Sequence, residues 1–136
     1  MKKKKLKPLG SLIKKASTLS QLYARLKGTD SSGMTRCITC NKAGHYTEMQ
    51  GGHFIERGKA ATRLDQMNIF PQCPYCNQWG MKKVSVVLEY RKKLVLAYGE
   101  DAILDLEQRS KQTHKWNRIE LEELITDLKE KINIYT

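Results

Sequence analysis

Two pairs of cysteines, Cys37-Ile-Thr-Cys40 and Cys73-Pro-Tyr-Cys76, constrain this chain more than any other feature. A gap of two residues lets both sulfurs of a pair reach one ion, and two such pairs suit tetrahedral Zn²⁺. The segment between the pairs is about twice the 15–20 residues usual in a plain zinc ribbon. His53, behind Gly51 and Gly52, and Asn68, in an extended run, both fall inside that surplus. Asn77 follows the last cysteine directly. The layout makes zinc a staple and leaves the inserted loop to carry chemistry. All four cysteines are used by the pairs, which fits a reducing cytosol and not disulfides.

The chain has 136 residues, 40% of them apolar, and a net charge of +11. That length holds a small core, for which a metal staple is a useful supplement. Positive charge of this size favours a polyanion, because each lysine or arginine that meets a phosphate releases a counterion. No apolar run approaches the ~20 residues of a membrane span, so no membrane partner is expected. No compact apolar segment follows the N-terminal lysines, so no signal peptide is expected either.

Residues 1–8 read as a basic, disordered tail. Apolar positions at Leu9, Leu12, Ile13, Ala16, Leu19, Tyr23 and Leu26 have helical spacing, giving an N-terminal helix over 9–28. Lys14, Lys15, Arg25 and Lys27 are then basic groups on or near its exposed surface. Residues 34–83 form the zinc-stapled core. Within it a strand enters the first cysteine pair over 34–39, Tyr46–Met49 returns as a hairpin strand, and an extended piece over 67–70 stops at Pro71. Residues 84–136 are helical. One stripe contains Val84, Val87, Leu88, Arg91, Leu94, Val95 and Tyr98, and a short helix follows with Ile103, Leu104 and Leu106 inward. A last helix carries Leu121, Leu124, Ile125, Leu128, Ile132 and Tyr135, with acids early and lysines late as the helix dipole favours.

Cys37-x2-Cys40, Gly52-His53, Asn68 and Cys73-x2-Cys76-Asn77 resemble a zinc-stapled HNH nuclease of the ββα-metal fold. Arg36-Cys-Ile-Thr-Cys40, Gly52-His-Phe54, Ala61-Thr-Arg-Leu-Asp65, Gln72-Cys73, Tyr90-Arg-Lys-Lys-Leu94 and Leu121-Glu-Glu-Leu124 resemble the phage NinG/Rap recombination endonucleases over roughly residues 19–132. Asn77 directly behind the last cysteine is similar to phage endonuclease VII. The resemblance implies an α+β fold with a small ββα-metal core, stapled by a four-cysteine zinc site and flanked by an N-terminal helix and C-terminal helices. It implies a metal-dependent DNA endonuclease of branched recombination intermediates, Holliday junctions or D-loops, in the cytoplasm of a bacterial host. A homodimer would suit a junction that needs two cuts.

Under that resemblance His53 is the general base, since a neutral imidazole can take a proton from water near neutral pH. Asn68 holds the loop or orients His53. A single Mg²⁺ or Mn²⁺ is held partly by Asn77, with Gln50 a further candidate ligand, while zinc stays structural because four thiolates leave it no open position. HNH sites often carry an acid or histidine directly before the base, where this chain has Gly52. NinG-like sequences tend to carry an acid where it has Gln50, so Glu48, Glu56 and Asp65 all stay open as ligands. Arg57, Lys59, Arg63, Lys82 and Lys83 flank the site as DNA-binding groups. Tyr75 and Trp79 can stack on bases, though packing around the zinc is their expected use. His45 and His114 read as ordinary surface or packing residues. The alternative function is a zinc-stapled DNA-binding module without catalysis.

Overall fold

The computed structural model of the protein describes residues 5–136, so the first half of the basic tail lies outside the described residues. Residues 5–8 lead without regular structure into α1 (Leu9–Leu26). Two short antiparallel hairpins follow. The first pairs β1 (Met34–Arg36) with β2 (Ala43–His45). The second pairs β3 (Gln50–His53) with β4 (Ile69–Gln72), and the connection between them carries α2 (Ala60–Arg63). β4 runs directly into α3 (Pro74–Gln78), and then come α4 (Val84–Tyr98), α5 (Glu100–Arg109) and α6 (Arg118–Asn133). The result is a small mixed α+β protein. No helix among the described residues is long and apolar enough to cross a membrane.

α1 is buried on two faces. Leu12 and Ala16 pack with Leu121 and Ile125 of α6, which lies along α1. α1 also packs on β3 and β4, and its buried residues include the small Ser17, Ser20 and Ala24. The approach is close, since a Cβ added at Gly51 would sit 2.8 Å from the Cα of Gln21. A second core joins Tyr90 and Leu94 of α4 to Ile103 of α5, with Phe54, Met67 and Phe70 packed against it. α1 thus covers one side of the second hairpin with α6 backing it, and α4 closes another.

Several local expectations shift. The strand that returns from the first cysteine pair is Ala43–His45, and Tyr46–Glu48 is a 3-10 turn. Asn41, with φ of 64°, closes the turn early, so Ala43 already lies opposite Arg36. Asparagine tolerates that left-handed conformation because its short side chain bonds locally. β4 runs through Pro71 to Gln72. Phe54 donates to the Asn68 carbonyl, and counting back in twos leaves Pro71 opposite Gly51 at a position where no ladder N–H is needed. The Pro71 carbonyl instead accepts from the Ile38 N–H at 2.9 Å.

The buried stripe of α4 is also rotated from the expected one. Tyr90 is fully buried, while Val84 and Leu88 are exposed, and in α5 Leu104 faces out. The reason is the phenol of Tyr90, whose hydroxyl reaches the Gly52 carbonyl at 2.7 Å and turns the helix toward β3. Arg25 on α1 and Lys27 just past its end are half-buried. Lys27 donates to the Gln66 carbonyl and lies 4.2 Å from the Phe70 ring centre, and burial brings its ammonium down to about 8.

Candidate functional site

The four cysteines meet. Cys37 leads out of β1, and its carbonyl accepts from the Asn41 N–H, closing the first knuckle. Cys73 caps α3, its sulfur accepting from the Cys76 N–H at 3.4 Å. All four sulfurs lie within 4.8 Å of one another, and those of Cys40 and Cys73 are 3.8 Å apart. A tetrahedral zinc with Zn–S of about 2.3 Å spaces its sulfurs by about 3.8 Å. The donor set therefore fits a structural zinc. Burial pushes the Cys37 thiol up, but hydrogen bonds from the Thr39 hydroxyl and from nearby backbone N–H groups bring it down to about 6. Burial carries Cys76 the other way, up to about 12. Met49 covers the cluster from the protein side.

A chain of contacts ties this cluster to β3. The Cys37 sulfur is 3.4 Å from the Thr39 hydroxyl, which accepts from the Gln72 amide at 3.1 Å. Gln72 is fully buried and lies over Gly52, so a Cβ there would overlap its amide oxygen. That overlap is the physical reason residue 52 carries no ligand side chain. Gly52→Ala should cost about 1–3 kcal/mol, the usual range for overpacking a filled interior, and a lowered thermal midpoint with unchanged zinc content would show it.

β3 delivers His53 next to this glycine, with only 9% of its surface exposed. The ring Nε2 is 2.8 Å from the Arg63 carbonyl. A carbonyl can only accept, so Nε2 carries the proton and Nδ1 keeps the lone pair. Burial is the main cause holding the His53 pKa below its ordinary 6.5, opposed by the Arg63 carbonyl and reinforced by the Arg57 and Arg63 charges.

His53, Gln50, Asn77, Glu56, Arg57 and Arg25 line one open cleft of about 660 Å³. Asn77 comes from α3 and donates its amide to the Gln50 side-chain oxygen at 2.8 Å. The Asn77 oxygen keeps its own lone pairs. Glu56 is the one carboxylate on the cleft among the described residues. Asp65 is instead paired with Arg109 at 2.8 Å, and Glu48 sits outside the lining. Arg25 was not expected here. Its guanidinium donates to the Tyr46 carbonyl at 3.0 Å, and the residue lines the cleft from α1. Helical spacing from Leu26 would have flagged it only as a flank position, because nothing local says which strand the helix covers.

Asn68 is not on the cleft. It is fully buried, accepting from the Ile55 N–H at 2.7 Å and donating to the Ile55 and Thr62 carbonyls. It therefore clamps the two ends of the loop whose Arg63 carbonyl holds His53. Lys59 is exposed just before α2, and Arg63 turns its carbonyl to His53. Lys82 and Lys83 lie beyond α3 on the outer surface. Tyr75 and Trp79 do not pack around the cysteines but are 58% and 57% exposed, because the cluster is already covered by Met49. His45 bonds Thr47, and His114 pairs with Glu120 at 3.0 Å, both away from the cleft.

No curated protein and no solved structure matches this chain. The model of the family described as Bacteriophage Lambda NinG protein matches residues 1–135, nearly the whole chain that builds this cleft and its cysteine cluster, and the protein belongs to the NinG family.

Proposed function

We propose that this protein is a metal-dependent DNA endonuclease of the HNH type, acting on branched recombination intermediates in the cytoplasm of the bacterial host. The observation that supports it best is the convergence of His53, Asn77, Gln50 and Glu56 on one cleft edged by Arg25 and Arg57. The succession β3, β4 and α3 is consistent with a ββα-metal core, with α2 in the connection. The Nδ1 lone pair of His53 accepts the proton of an attacking water, while the Arg63 carbonyl fixes the ring. Arg25 and Arg57 offset the charge of the scissile phosphate. The oxygens of Asn77, Gln50 and Glu56 are the hard donors that Mg²⁺ or Mn²⁺ prefers. Such an ion, when bound, supplies Lewis-acid stabilisation of the leaving oxygen. Zinc remains structural, its four positions filled by thiolates. A nicking assay on a fixed four-way junction, a D-loop and a linear duplex, with and without Mg²⁺, tests this. Cleavage of the branched substrates only with the ion is the expected result.

The amide bond between Gln50 and Asn77 favours a second reading, a zinc-stapled DNA-binding module, because it ties two of the proposed ligands to each other. Asn77→Asp separates the two. The carboxylate loses the donor to Gln50, but it should lower the Mg²⁺ concentration for half-maximal cleavage by about tenfold, since added negative charge tightens hard-cation sites. A module without catalysis would show only the structural loss, as a lower thermal midpoint, and no cleavage at any Mg²⁺ concentration.

A further inference from the structure

We propose that Tyr75 and Trp79 form a stacking platform for unpaired nucleobases of single-stranded DNA, on α3, which carries Asn77 into the cleft, and on the residue that caps its C-terminal end. The proposal deepens the DNA-directed reading above and rests on it. The two aromatic residues are four apart, and the Trp79 N–H donates to the Tyr75 carbonyl at 2.8 Å, so they occupy one helix face a turn apart. Both are more than half exposed. The protein's other tryptophan, Trp116, is used differently, its indole N–H donating to the Ala60 carbonyl at 3.1 Å.

Each exposed ring has its own cation. The Lys82 ammonium lies 4.8 Å from the Trp79 ring centre. The Lys83 ammonium lies 5.6 Å from that of Tyr75 and donates to its hydroxyl at 3.1 Å. The Lys82 ammonium leaves the other face of Trp79 for a base, the Lys83 ammonium sits at the hydroxyl end of the Tyr75 ring, and each is then placed for an adjoining phosphate. Aromatic faces interleaved with positive charge are how proteins hold single strands without reading sequence. A duplex hides its base faces in the stack, so the ligand that fits is unpaired DNA of the kind found where a branch opens. The net charge of +11 adds attraction for any polyanion. Paired lysines at the centre of the patch weigh against burial under an apolar protein partner, since lysine is depleted from such interfaces.

The test uses the full zinc-loaded chain with a twelve-nucleotide oligothymidylate and a blunt duplex, without added Mg²⁺ or Mn²⁺ so that nothing is cut. The oligothymidylate should quench tryptophan fluorescence in the wild type. Trp79→Ala and Tyr75→Ala should each weaken its binding by about 30-fold, the middle of the range for loss of one stacked base. Duplex affinity should stay within about twofold, and Trp79→Phe should keep most single-strand binding. Lys82→Gln or Lys83→Gln should reduce the salt slope of single-strand binding by about 0.7 each. The proposal is overturned if both alanine variants, shown to be folded and zinc-loaded, bind the oligothymidylate like the wild type. It is equally overturned if they lower the sedimentation coefficient and spare single-strand binding, which would make the patch a contact between copies of the chain. Because no cleavage is measured, failure of this platform and failure of the nuclease reading are seen separately.

Discussion

Replacement of Cys73 by serine, or removal of the metal by a chelator, is expected to unfold the region from β1 to α3. Structural zinc contributes about 10–16 kcal/mol to small metal domains at pH 7, which is as much as the whole stability of a typical domain. The local geometry says where that loss would be felt. Cys37, Cys73 and Cys76 are buried and form their own cluster with Met49. Gln72 and Thr39 connect this cluster to Gly52. Without the ion, like-charged or mutually crowded sulfurs would be left facing one another under the hairpin that presents His53. A domain of this size shifts its thermal midpoint by roughly 3–5 °C per kcal/mol. A fall of more than about 15 °C, or loss of a cooperative transition, is therefore the expected result by circular dichroism, with zinc absent by elemental analysis. A Cys73→Ser protein with no zinc and an unchanged melting curve would remove the staple from the account.

His53→Ala is expected to lower the cleavage rate by about 10²–10⁴-fold, the usual range for loss of a general base, with zinc content and DNA affinity nearly intact. On the nuclease reading, affinity would rest on distributed lysines and arginines, whereas the imidazole would act only as the water is deprotonated. The ring is nearly buried and its Nε2 donates to the Arg63 carbonyl, so the variant should also lose about 1–3 kcal/mol of stability, and rates are compared on protein shown to be folded. The pH dependence has a definite sign. Burial lowers the His53 pKa below 6.5, so the free base is already present at neutral pH. The rate should be flat above pH 7 and fall as the pH drops through a midpoint below 6.5. Stability follows the same direction, because the unfolded chain takes up the His53 proton first as the pH falls. Wild-type rates in His53→Ala protein free of contaminating nuclease would sink the assignment and favour the DNA-binding module.

Much of this architecture could be read from residues close together in the chain. The two CxxC pairs announce the cysteine cluster because ligand spacing is a local property. The helical stripe from Leu9 to Leu26 gives α1, and that from Leu121 to Tyr135 gives α6, where Asn117 and Glu120 also close a capping box. Periodicity identifies a helix but not the direction it faces when two partners compete for it. α4 shows the consequence: Leu88 fits the apolar stripe and is exposed, while Tyr90 is buried because the Gly52 carbonyl offers its hydroxyl a partner.

The site divides the same way. His53 and Asn77 stood out in the sequence by their positions beside glycines and a cysteine. Which acid joins them did not, because Glu48, Glu56 and Asp65 are equally near along the chain, and only Glu56 lines the cleft once Asp65 is taken by Arg109. The role of Asn68 was likewise undecided until its amide was seen bound to both ends of a loop. Arg25 reaches the cleft only because α1 crosses β3 at Gly51, where the absence of a side chain lets the helix come close. The sequence by itself therefore determined the cysteine cluster, the principal helices and the place of His53 behind Gly52. Only the tertiary structure decided which charges surround that histidine, because those contacts join residues far apart in the chain and depend on packing that no local pattern encodes.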